Sequence, residues 1–337
     1  MNRKEFQQLL RRVLKTAAPV AVLGISPLLS GGCACPTEER TTVVPVASQP
    51  TSFEECIEMC KTELNKHYDP DNFEKDDIMQ NWYLGEVHRC TSSTLLTPDA
   101  NSQKTTLQNA VICDYEVRAI CIGGRLPSGI QPQEQLQATN ELGSYFAQLC
   151  YLEQAAVVAF DVFAQELKTH NAPQEFVDRA LLAVQEEKEH AQMTALLAQM
   201  YGAQTPEVTV APQPIRSLEE IAYENAVEGC VRETYAPLVA HWQALHSVSP
   251  EIRAVMSRIA EEESGHAALS WEVDSWMTPQ LTPAQRAKKD QLQQDAIATL
   301  GQETKHRPSL AMVEVAGFPQ TEQATQLFEG LQQELWS

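Results

Sequence analysis

Six side chains in this 337-residue chain have the types and spacing that metal chemistry needs: Glu153, Glu187 with His190, Glu228, and Glu263 with His266. Each Glu-x-x-His pair projects both side chains from one face of a helix, and carboxylate oxygen with imidazole nitrogen suits iron or manganese. The intervals repeat. Glu153 and Glu187 are 34 residues apart and Glu228 and Glu263 are 35, while Glu153 to Glu228 spans 75 and Glu187 to Glu263 spans 76. A single glutamate on such a face reads most simply as a core-edge residue reaching for water. Two halves that each carry one Glu and one Glu-x-x-His do not.

The surroundings of these residues sharpen the point. Glu153 interrupts an apolar stripe of Phe146, Leu149, Ala156, Val157, Phe160 and Phe163. Glu187 and His190 lie in line with Val184, Ala191, Thr194 and Ala198, and Glu228 lies among Val231, Tyr235, Leu238 and Trp242. Glu263 and His266 share a line with Ile252, Val255, Ile259 and Val273. Unpaired buried carboxylates cost several kcal/mol each and repel one another when they converge. Positive charge is expected between them.

Four helices must position these residues. The periodicity predicts one from about Leu136 to Lys168 and a second running to Tyr201, with Asn171-Ala172-Pro173 as its cap and first turn. A third runs from about Ser217 to Leu245, and a fourth from Ser249-Pro250 to about Met277. A link containing Pro206, Pro212 and Pro214 separates the two helical hairpins. The expected fold is mainly α: a four-helix bundle with a crossover over 136–278, preceded by a small cysteine-rich α+β module and followed by C-terminal helices over 279–337.

Residues 136 to about 278 resemble the ferritin-like, rubrerythrin-type di-iron carboxylate family, with all six ligand types in the family's order and Glu228 followed by Tyr235 in its Glu-x6-Tyr pattern. The resemblance implies that Glu153 and Glu228 are single-helix ligands, that Glu187 and Glu263 bridge two metals, and that His190 and His266 complete the set. The metals would be two iron ions, with manganese as the alternative. Tyr235 would orient a ligand carboxylate, and Glu224 could be the extra third-helix carboxylate of peroxide-reducing members. Phe160 stands where a second tyrosine would be, and no paired Cys-x-x-Cys offers an electron-transfer iron. The activity implied is redox chemistry on peroxide or dioxygen, with the electron donor undetermined and a dimer compatible with it. The alternative is a non-catalytic metal-binding or envelope-interaction module.

Composition limits the partners. Lys and Arg number 25 against 45 Asp and Glu, a net charge of −20, so nucleic acid is an unsuitable partner. The N-terminus is basic at Arg3, Lys4, Arg11, Arg12 and Lys15, then apolar from Thr16 to Leu29, and ends in Ser30-Gly31-Gly32-Cys33. This order reads as a signal peptide over 1–33, and its end resembles a bacterial lipobox. The resemblance implies acylation of Cys33, a membrane tether and a location on the periplasmic side of the cell envelope. Residues 34–51 read as an extended, disordered linker.

Nine cysteines, concentrated in the first third, agree with an oxidising compartment. Cys56 and Cys60 lie four apart on one helix face, while residues 110–121 alternate as a strand, which separates Cys113 from Cys121. Cys35, Cys56, Cys60, Cys90, Cys113 and Cys121 are the disulfide candidates within a module over 52–130. A metal site using Cys56, Cys60, His88 and Cys90 is the minor alternative.

Overall fold

The computed structural model describes residues 1–17, 37–68, 82–98, 105–119, 125–127, 129–130, 138–205, 207–212, 214–305 and 307–336. The chain divides into two compact units, Cys35–Ile120 and Met1–Ala34 together with Cys121–Ser337. Cys33, Cys35 and Cys121, and with them the expected lipidation, lie outside the described residues.

The smaller unit is a three-stranded antiparallel sheet with one helix. Strands β1 (Thr37–Pro45), β2 (Trp82–Pro98) and β3 (Thr105–Ala119) lie in the order β1-β3-β2, and α2 spans Phe53–Tyr68. The expected disordered tether therefore contains a strand. Thr41, Thr42, Val43 and Val44 are β-branched and pair with β3 from Thr42 opposite Cys113 to Pro45 opposite Ala110. Cys56 and Cys60 point together from α2, as their spacing requires. Cys56 bonds Cys90 and Cys60 bonds Cys113, with Cα atoms 5.7 and 5.9 Å apart. Cys90 and Cys113 are direct cross-strand neighbours, yet each joins the helix. Val44, Leu64, Val87 and Val111 close a small core around the two bridges, which compensates for its size.

The larger unit is helical. Helix α1 (Arg3–Thr16) is capped by Asn2, whose side chain accepts from the Glu5 amide while Glu5 bonds back to Asn2. Helices α3 (Glu141–Thr169) and α4 (Gln174–Met200) pack side by side, as do α6 (Glu233–His246) and α7 (Pro250–Met277), and α4 also contacts α7. The expected third helix is interrupted: α5 (Leu218–Glu224) passes into a π-helical segment, Asn225–Arg232, before α6. Ser249 caps α7 ahead of Pro250, as predicted. Asn171 does not cap α4. It takes a left-handed conformation, φ 57°, just after α3 ends.

Helices α8 (Pro283–Glu303), α9 (Leu310–Glu314) and α10 (Thr321–Glu334) complete the unit. Leu327 and Leu331 of α10 join Phe6, Leu9, Leu10 and Val13 of α1 against Tyr235, Leu238 and Trp242. The positively charged start of the expected leader is thus folded into a core, with Arg3 donating to the Glu261 carbonyl at 2.8 Å and Arg12 paired to Glu334. Helix α3 is long and apolar enough to cross a membrane, but 72% of its apolar window is buried inside the protein, as in a core helix.

Candidate metal centre

The centre lies where α3, α4 and α7 face one another. Glu153 comes from the middle of α3, and its helix neighbours Ala156 and Phe160 are fully buried, so its carboxylate cannot escape along the stripe. The Glu-x-x-His pairs place Glu187 with His190 on α4, and Glu263 with His266 on α7, one turn apart on inward faces. All five side chains are at most 2% exposed.

The imidazoles are arranged reciprocally. His190 Nδ1 lies 3.4 Å from Glu187, 3.3 Å from Glu263 and 3.8 Å from Glu153. His266 Nδ1 lies 3.1 Å from Glu187 and 3.5 Å from Glu263. Glu187 and Glu263 therefore face both histidines. The outer nitrogens are held crosswise: His190 Nε2 lies 2.8 Å from Glu262 and His266 Nε2 lies 2.8 Å from Glu186. Glu186 and Glu262 each directly precede a ligand-type glutamate, so the repeated element is Glu-Glu-x-x-His, a signal legible in the sequence.

The inward atoms face one another without forming hydrogen bonds. Both oxygens of Glu187 and of Glu263, Glu153 Oε2, His190 Nδ1 and His266 Nδ1 are buried without a hydrogen-bond partner. Such convergence is costly unless a cation occupies the centre. The protonation preferences carry the same demand. Burial, reinforced by the charge of Glu187, raises Glu153 well above the usual carboxylate range. Burial works against charge on His190, yet its contacts with Glu187 and Glu263 push it up to about 11. For His266 the charge of Glu263 likewise overcomes burial and raises it. Against the effect of burial, both imidazoles hold Glu187 below the ordinary range. A metal-free cluster draws protons in where positive charge is missing. Glu153, Glu187, His190 and Glu263 each offer an atom within 4.8 Å of the others, so this buried group could bind a metal ion.

Glu228 is not brought to this group. It accepts from the Leu126 amide, and burial raises it to about 7 against the pull of Arg232. The reason is the π-helical segment. Its wider turn places the Glu233 amide on the Glu228 carbonyl, five residues back, and carries Glu233 to the inward position. Glu233 is fully buried and feels the charges of Glu263, His266 and Glu187, and burial raises it to about 8 despite Arg125. Gly229 makes the segment's close approach to α7 feasible, since a Cβ there would fall 2.6 Å from Ser270.

Tyr235 also lies elsewhere. Its hydroxyl donates to the Ala324 carbonyl at 3.4 Å, inside the core shared by α1 and α10. Glu224 pairs with Arg125 at 2.7 Å and lines a cavity of about 100 Å³ together with Val158, Val162, Val210, Pro214 and Arg216. Phe160 packs against His266, ring centroids 4.9 Å apart. Cys150 donates to the Ala191 carbonyl, and burial raises its thiol, which favours the inert protonated form.

Nothing in the sequence pattern marks Arg125. It is 1% exposed, lies 3.9 Å over the Phe163 ring, and donates to Glu224 and to Asn225 at 2.6 Å, while its backbone amide donates to Glu233 at 3.1 Å. In sequence it stood in a Gly-rich break, with nothing to connect it to a helix about a hundred residues away. No family model, no curated protein and no solved structure matches this chain.

Proposed function

We propose that the helical unit is a ferritin-like four-helix bundle, its third helix formed by α5, the π-helical segment and α6, and that it holds a dinuclear iron or manganese centre acting on peroxide or dioxygen. One observation carries the reading: inward-facing carboxylates and imidazoles on paired Glu-Glu-x-x-His elements, buried without partners, with each histidine held from behind by the opposite element. Glu153, Glu187, His190 and Glu263 would hold one ion, and Glu187, Glu263 and His266 would hold the other. The chemistry such a centre would supply is two-electron reduction of an O–O bond.

The protein's own work is positional. Glu262 and Glu186 fix the ring orientation of His190 and His266 and keep Nδ1 inward. The apolar walls, including Phe160, exclude water. Glu224, at the cavity, and Glu233 are held by two separate groups of Arg125, the guanidinium and the backbone amide, so that one residue fixes both carboxylates. The burial of all five side chains at the centre favours a diatomic or peroxide substrate. The two disulfides of the smaller unit support an envelope location in an oxidising compartment.

Anaerobic iron loading followed by elemental analysis, then stopped-flow mixing with peroxide and with dioxygen, tests the reading. Metal should exceed that in a Glu187→Ala plus Glu263→Ala variant, and both rates should fall to that of free iron in His190→Ala. The complete burial of Glu187 and His190 favours one alternative, a metal held for stability or sensing. That alternative prevails if the loaded protein binds metal but reacts no faster than free iron.

A further inference from the structure

We propose that the centre fills in a fixed order because the Arg125 loop already occupies the carboxylate needed for its second position, and that this carboxylate is Glu233 rather than Glu228. The inference rests on the metal reading above and adds to it the identity of the third-helix ligand and the residue that restrains it.

The two positions are unequal in what they offer. On the His190 side, four donors lie within 4.8 Å of one another, and their inward atoms Glu153 Oε2, Glu187 Oε1 and Oε2, His190 Nδ1 and Glu263 Oε1 and Oε2 are engaged in no hydrogen bond and meet only one another and the His266 ring. On the His266 side, the added carboxylate is Glu233, which Ser270, one turn beyond His266 on α7, holds towards Glu187, Glu263 and His266. Both Glu233 oxygens are engaged: Oε1 accepts from the Arg125 amide at 3.1 Å and Oε2 from Ser270 Oγ at 3.2 Å. The Arg125 charge also acts on Glu233 through space. An ion entering the first position displaces protons from the imidazoles and meets carboxylates that no hydrogen bond holds. An ion entering the second must share Glu233 with these donors.

Arg125 is not free to withdraw. Its Nε is held by Glu224 and its Nη2 by Asn225, with the Phe163 ring beneath it. Ser270 is held as well, donating also to the His266 carbonyl at 3.1 Å. Glu233 must therefore be the mobile partner. Arg125 acts as a positioning residue, and the second position should be both weaker and dependent on the π-helical segment that presents Glu233.

Anaerobic titration of the full chain with cobalt(II), followed by calorimetry and native mass spectrometry, tests this without reference to turnover. The wild-type protein should bind two ions in two steps, the second at least about tenfold weaker, the scale on which outer contacts tune metal affinity. Glu233→Gln should lose the second step and keep the first, the retained step showing that the fold is intact. Ser270→Ala, which frees one Glu233 oxygen, should narrow the gap, and Glu228→Gln should keep both steps. Two ions bound in one step by the wild type, or Glu228→Gln losing an ion that Glu233→Gln keeps, overturns the inference and leaves the metal reading standing. No ion bound by the wild type overturns both.

Discussion

His190 and Glu262 meet across the contact of α4 with α7, the imidazole Nε2 lying 2.8 Å from the carboxylate. His266 repeats the relationship with Glu186 in the opposite direction. Each helix thus lends the residue before its inward glutamate to orient the other helix's histidine, and about one turn from each of the two helices joins in one reciprocal unit. Replacing Glu262 or Glu186 by Gln should lower metal affinity by about 10- to 100-fold while leaving the helical content unchanged. Calorimetric titration beside circular dichroism checks this, and affinity unchanged in both variants would show that the outer carboxylates do not orient the ligands.

Metal should stabilise the helical unit, since on the proposed reading the folded cluster would bind cations that the unfolded chain cannot gather. At a free concentration of about one hundred times Kd the gain is about 2.7 kcal/mol. Thermal unfolding with and without a chelator reads it as a shift in Tm, and the shift should vanish in the Glu187→Ala plus Glu263→Ala variant.

Tyr235 should be dispensable for the centre. Its hydroxyl serves the Ala324 carbonyl, so Tyr235→Phe should cost about 1 kcal/mol of stability and leave metal stoichiometry and affinity as in the wild type. A change in metal affinity in this variant would restore the ligand-orienting role that the Glu-x6-Tyr pattern implied.

Helix α1 contributes Phe6 and Leu10, both fully buried, to a core shared with α6, α7 and α10. Leu10→Ala should cost about 2–5 kcal/mol, measured by urea unfolding, and removal of residues 1–17 should cost more. Cleavage before Cys33 would remove the same helix. Intact-mass analysis of the natively produced chain therefore reads directly whether the mature protein keeps α1 or exchanges it for a lipid tether.

The two bridges of the smaller unit should resist alkylation until a reductant is added. Cys60→Ser with Cys113→Ser should destabilise that unit by about 2–4 kcal/mol, within the usual range for a native disulfide. Peptide mapping under non-reducing conditions should recover the pairs Cys56–Cys90 and Cys60–Cys113.

Periodic and local features were legible along the chain. The placing of Glu153, the Glu187 and His190 pair and the Glu263 and His266 pair on inward faces follows from helical spacing alone, because apolar residues three and four apart define the buried stripe. The Ser249-Pro250 start of α7 and the common face of Cys56 and Cys60 depend on neighbouring residues only. What required the folded chain is what depends on long-range register. The choice between Glu228 and Glu233 rests on a π-helical segment, and nothing in the 3.6-residue pattern announces five-residue hydrogen bonds. They are sustained by the contact of Gly229 with Ser270 and by a loop arginine distant in sequence. Disulfide partners, the burial of α1 and the diversion of Tyr235 to Ala324 share that origin: each joins segments whose individual patterns admit several partners, and only the closing of the whole core selects one.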